Sequence, residues 1–171
     1  MDKRLQGAID RRNLVFIVGT GASASTTENA PYATWRGLIE DGIERAISLG
    51  SKAAWGEQVR GNLTYGFGEN DMDMILGSAA ALVKEMDKHG PYSIPKWLQE
   101  TVGSLEVKNP TLVKSIRALP YPVLTTNYDG LLGNNDRREV DWTDTAEMQQ
   151  VLTGGSRSIG HLHGICRSRN R

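Results

Sequence analysis

Leu14, Val15, Phe16, Ile17 and Val18 form an unbroken apolar run that ends directly in Gly19-Thr20-Gly21-Ala22-Ser23. A continuous apolar run of strand length predicts a strand covered on both faces, the situation inside a parallel sheet. Gly19, Gly21 and Ala24 then match the Gly-x-Gly-x-x-Gly/Ala spacing that follows the first strand of dinucleotide-binding sheets. In that setting the first glycine permits a tight turn and the second lets a phosphate approach bare backbone, where free N–H groups suit a pyrophosphate. The same pair also serves as a plain turn. The acidic residue that usually ends a second strand roughly 20 positions later is missing. Glu40 and Asp41 fall near that spacing, but on an amphipathic helical stretch. An ordinary dehydrogenase is therefore not expected.

The rest of the chain supplies helices and then more strands. Residues 3–12 predict a short helix, and the small polar residues 22–33 a loop. Thr34 is placed to cap a helix carrying Trp35, Leu38, Ile39, Ile43 and Ile47 on one face, with Gly50 as its stop. Residues 52–118 read as helical, with segments at 70–90, 94–105 and 110–119. Pro120 and Pro122 then hand over to a strand from Val123 to Thr126. A short strand and turn follow within 138–144, then a helix with Asp144 as cap, then a strand from Ser158 to Leu162. This order predicts one α/β domain over 1–171, with a helical insertion between its first and second strands.

Two later stretches carry chemistry. In Thr125-Thr126-Asn127-Tyr128-Asp129-Gly130, the asparagine and aspartate follow a strand, where ligands of open α/β sheets bind. Asparagine offers a donor and an acceptor, enough to hold a sugar hydroxyl or a water. The stretch is also a good turn sequence. His161 and His163 alternate, which on a strand puts both on one face. One is a candidate general base. The other, His161, fits a satisfied core histidine.

Composition bounds the partners. Twenty basic residues balance twenty acidic ones, which gives no reason to expect a nucleic-acid surface. Cys166 is the single cysteine, so neither a disulfide framework nor a four-cysteine zinc module is available, and no metal is expected. The charged start lacks the apolar core of a signal peptide, and no membrane helix is predicted, so the expected compartment is the cytoplasm.

Taken in order, these stretches resemble the sirtuin family. Residues 19–23 resemble its glycine loop, 125–129 its Thr-Gln-Asn-Ile-Asp signature with Thr126 in place of glutamine, and His163-Gly164 its catalytic His-Gly. The form Ala30-Pro-Tyr-Ala-Thr-Trp35-Arg-Gly-Leu-Ile39 departs from the sirtuin Pro-Asp-Phe-Arg stretch and more nearly resembles the sirtuin-like NAD hydrolase domains of bacterial anti-phage defence proteins. The resemblance covers about 13–165 and implies a Rossmann-like sheet. It implies NAD as substrate, cleaved between nicotinamide and ribose, with NAD depletion as the role. By the same resemblance Asn127 holds the ribose and positions a water, and His163 acts as base. Asp129 supports the ribose pocket, Gly19, Gly21, Ala22 and Ser23 cradle the pyrophosphate, and Trp35 belongs to the cofactor pocket. The family's fold continues beyond its His-Gly, whereas this chain ends seven residues after Gly164. The resemblance therefore implies a C-terminally shortened fold, weakened activity of the isolated chain, and completion by self-association or by a partner chain.

Overall fold

The structure, a computed structural model, describes residues 2–11 and 13–166. Helix α1 (Lys3–Asp10) leads into strand β1 (Phe16–Val18), which feeds helix α2 (Thr20–Thr26). A 3-10 turn (Pro31–Ala33) precedes helices α3 (Trp35–Ser48), α4 (Ala53–Glu69), α5 (Met72–Asp87) and α6 (Ser93–Glu100). A second 3-10 turn (Val102–Ser104) and helix α7 (Thr111–Ala118) lead to strand β2 (Val123–Thr125). Strand β3 (Glu139–Asp141), helix α8 (Thr145–Leu152) and strand β4 (Ile159–His161) follow.

The four strands form one parallel sheet in the order β1-β2-β4-β3. Register places Ile17, Leu124, Gly160 and Val140 side by side on one face. Leu124 packs there with Met148 and Val151 of α8. On the other face Val123 and Ile159 pack with Val113 and Ile116 of α7, and with Ala22 of α2. Helices on both faces of a parallel sheet are the expected α/β arrangement.

Local signals placed several boundaries. The Thr34 hydroxyl accepts the Gly37 amide at 3.1 Å and caps α3, and Gly50 takes φ +113° just past that helix, where glycine is favoured. Asp144 caps α8 through the Glu147 amide.

Three expectations are corrected. First, β1 is not covered on both faces. It is an edge strand, and Ile17 is 67% exposed because α8 covers the sheet only as far as Leu124. Second, the loop expected at 22–33 begins as helix α2. Of its small polar residues Ser23 and Thr26 are buried: the Thr27 hydroxyl donates to the Ser23 carbonyl, and the amides of Lys108 and Asn109 donate to the Thr26 carbonyl, while the Thr26 hydroxyl has no partner among the described residues. Third, the helical insertion is not one block over 52–118. Helices α3 to α6 share a separate core around Ile43, Leu63, Leu82, Met86 and Trp97, whereas α7 belongs to the sheet. The bundle thus starts at Trp35 rather than at residue 52. Of the basic chain end, residues 167–171 lie outside the described residues. Among the described residues no helix is long and apolar enough to cross a membrane.

Candidate functional site

The carboxyl ends of β1 and β2 open on a cavity of about 240 Å³ whose far wall is the helical bundle. Thr20 of α2 and the segment Thr126 to Asp129 line the sheet side, and Trp35, Leu38, Leu82 and Leu98 are among the residues lining the bundle side. One end of the cavity is therefore polar and the other apolar, the usual make-up of a small-molecule site.

The polar end is built on a network of three side chains and one backbone carbonyl. The Asn127 Nδ2 donates to the Ser23 hydroxyl at 2.6 Å and to the Gly19 carbonyl at 3.0 Å. The Ser23 hydroxyl in turn donates to Asp129 Oδ2 at 2.6 Å. Residues more than 100 positions apart are thereby locked across the junction of α2 and the β2 end. Asn127 is 4% exposed, and its Oδ1 is buried with no hydrogen-bond partner among the described residues. Buried polar atoms are normally satisfied, so an unpaired acceptor beside a cavity marks a place for a donor from a ligand or a water.

Behind Asn127 sits His161, fully buried. Its Nδ1 lies 3.0 Å from the Asn127 carbonyl, which only accepts, so Nδ1 carries the hydrogen. Its Nε2 is 3.5 Å from Glu139 Oε1. His161 is thus a core histidine, as read from sequence, but not a fully satisfied one, because its Nε2 has no hydrogen-bond partner among the described residues. The expected alternation with His163 fails. Strand β4 ends at His161, and His163 lies on the following turn, exposed, with its ring 6.5 Å from that of Tyr128. Gly164 at φ +95° makes this turn possible.

The two loop glycines are not held by packing, as several surface glycines such as Gly61 and Gly77 are not. Gly19 has φ −111° and ψ −171°, a backbone any residue adopts, and a Cβ there would only touch Thr126 Oγ1 at 3.9 Å. A Cβ on Gly21 would meet nothing within 4 Å. By contrast, a Cβ on Gly37 would stand 2.1 Å from the Pro31 carbonyl, and one on Gly160 2.6 Å from the Met148 sulfur. Packing fixes glycine at 37 and 160 but not at 19 or 21. The tight-turn reason for Gly19 is withdrawn; what both glycines leave is free space at the start of α2. Ala22 packs into the sheet core, and its amide donates to the Gly19 carbonyl, so it shapes the loop. Ser23 faces Asn127 and Asp129.

Gly21→Val is accordingly expected to change stability by less than about 1 kcal/mol, since valine is no worse than glycine in a helix. If a dinucleotide's phosphates lie against this backbone, the change should weaken dinucleotide binding about tenfold or more, roughly 1.4 kcal/mol. Calorimetric titration checks this; unchanged affinity would put the phosphates elsewhere.

Burial pushes the Asp129 carboxyl above its ordinary range, against the opposing bonds from the Ser23 hydroxyl and the Leu131 amide. The folded chain therefore holds this proton more tightly than the unfolded chain. The contribution to stability is greatest below the ordinary aspartate value of about 4 and is lost as pH rises through the raised folded value. Asp129→Asn lacks this titration. The stability of the wild type minus that of the variant, from denaturant midpoints at successive pH values, should fall above about pH 4 and then level off. A difference that rises with pH would contradict the assigned cause.

Sequence reading missed Thr20, Thr126, Tyr128 and the apolar wall. Thr126 and Tyr128 lay inside the flagged stretch at alternate positions. The wall comes from α3, α5 and α6, through residues that also make or pack on the bundle core, Leu38, Leu82, Trp97 and Leu98 among them. Among the described residues no group of three His, Cys, Asp or Glu side chains is placed to hold a metal. No family model, curated protein or solved structure matches the chain.

Proposed function

We propose that the chain is a sirtuin-like NAD hydrolase domain that releases nicotinamide and ADP-ribose, serving anti-phage defence by NAD depletion. The observation that carries the reading is Asn127: buried, held by Gly19 and Ser23, with Oδ1 unpaired at the polar end of the cavity. The free space at Gly19 and Gly21 supports it, because a pyrophosphate needs bare backbone there.

The chemistry follows from the bond that breaks. The C1′–N bond between ribose and nicotinamide cleaves, its electron pair passes to the ring nitrogen, and a neutral nicotinamide leaves. C1′ becomes cationic and accepts a water, which gives up a proton. Asn127 Oδ1 accepts from a ribose hydroxyl or from that water. His163, the base that the sirtuin resemblance assigns to take the water's proton, stands outside the cavity lining, so this step requires its turn to move. The Asp129 carboxylate, fixed by Ser23, favours positive charge in the pocket. A preorganised polar site that excludes bulk water accelerates such a step.

A second reading, a non-catalytic NAD or ADP-ribose-binding module, is favoured by the position of His163, which is exposed and outside the cavity lining. Incubating the purified chain with NAD, with and without an acyl-lysine peptide, separates the possibilities. Peptide-independent nicotinamide release supports the hydrolase. Release only with peptide indicates a deacylase instead. ADP-ribose binding without release supports the module. A folded chain that neither binds nor cleaves refutes the nucleotide site.

A further inference from the structure

We propose that the opposite end of the sheet carries a second small-molecule site, one that takes the phosphate group of a phosphate monoester or free inorganic phosphate. A pocket of about 310 Å³ lies there, between the turn at 118–122, the turn at 154–157 and Arg137. Pro122 leads into β2, and the turn ending at Arg157 leads into β4. The pocket is therefore at the amino ends of the strands, away from Asn127.

Arg137 is the key residue. It is 2% exposed, and only its Nη2 finds an acceptor, the Leu119 carbonyl. Its Nε and Nη1 are buried without a partner among the described residues. Arg117 shows how the same fold satisfies a structural arginine: its guanidinium donates to the carbonyls of Leu131, Leu132 and Gly133. Arg137 has no such set. Its main chain is nevertheless fixed, because its amide donates to Asn134 Oδ1 at 2.8 Å and its carbonyl accepts the Asn134 amide at 2.9 Å.

Arg157 lines the same pocket, and its charge, together with burial, disfavours the charge on Arg137. Among the described residues no carboxylate forms an ion pair with either arginine. Glu147 of α8 accepts the Ser156 and Ser158 hydroxyls at 2.8 and 3.0 Å, and the cation that acts on it is Arg138. Two converging positive charges, one with buried unmet donors in a rigid fork, match a dianionic oxyanion better than they match water. Pro120, Pro122 and Tyr121 add an apolar rim for the group that carries the phosphate.

The test compares melting midpoints of the purified chain in sodium phosphate and in sodium chloride at matched ionic strength. A glycerol phosphate arm distinguishes a monoester from the free ion. A ligand specific for the folded state raises the midpoint in a saturable way. The wild type should show that rise in phosphate. Arg157→Gln, a change at an exposed position, should weaken the phosphate response about tenfold, and Arg137→Met should abolish it. Asn127→Ala should retain it, because the two sites lie at opposite sheet ends. Equal midpoints in phosphate and chloride would overturn the site. So would a response undiminished in Arg157→Gln, which would place the phosphate elsewhere, for instance at Gly19 and Gly21.

Discussion

Asn127→Ala is expected to lower nicotinamide release by about 10²- to 10³-fold, the usual cost of losing one preorganised polar group at a reacting centre. The structure explains why this loss should be chemical rather than structural. The Asn127 main chain does not depend on its side chain: its amide donates to the Thr125 hydroxyl and its carbonyl accepts from His161. Removing Nδ2 leaves the Gly19 carbonyl still bonded to the Ala22 amide, and Ser23 still bonded to Asp129. The stability loss should therefore stay near 1–2 kcal/mol, the scale of one or two ordinary hydrogen bonds. Calorimetry beside the rate assay checks both halves. A folded variant with wild-type turnover would remove Asn127 from the reaction.

The two histidines should separate in the opposite sense. His163→Ala is expected to cut turnover by about 10²- to 10⁴-fold, the range for loss of a general base. Its stability should stay within about 0.5 kcal/mol of the wild type, as for other surface changes, because His163 is exposed and off the strand. His161→Ala should instead cost about 2–4 kcal/mol, since it opens a cavity under a fully buried ring. It also leaves the Asn127 carbonyl without its donor. Its effect on turnover should follow from a displaced Asn127. If the His161 variant is inactive but fully stable and the His163 variant turns over normally, the base is His161.

What could be read from sequence was local. The Thr34 and Asp144 caps and the left-handed Gly50 each depend on a few neighbouring residues, and each lies where expected. Ile17 could not be read, because an apolar run looks the same whether or not a helix reaches it, and α8 stops at Leu124. Helix α2 could not be read either. Its alanines favour a helix while its glycine, serines and threonines oppose one, so docking decides the outcome, through Ala22 in the core and Ser23 on Asp129.

The site was legible as separate stretches but not as an assembly. The glycine loop and the Asn127 stretch stood out by type and spacing. That Ser23 would bridge Asn127 and Asp129 depends on contacts across more than 100 residues. The histidine pair misled because period-2 alternation holds only while a strand lasts, and β4 ends at His161. Arg137 lies in a charged run that reads as solvated surface, yet the turn around Asn134 folds it inward.

Nicotinamide release from NAD by the purified chain, measured beside a folded Asn127→Ala control, tests the central claim most directly. The account predicts release by the wild type and at least a hundredfold less by the variant. Equal release by both, or none from a wild type shown to be folded, would contradict it.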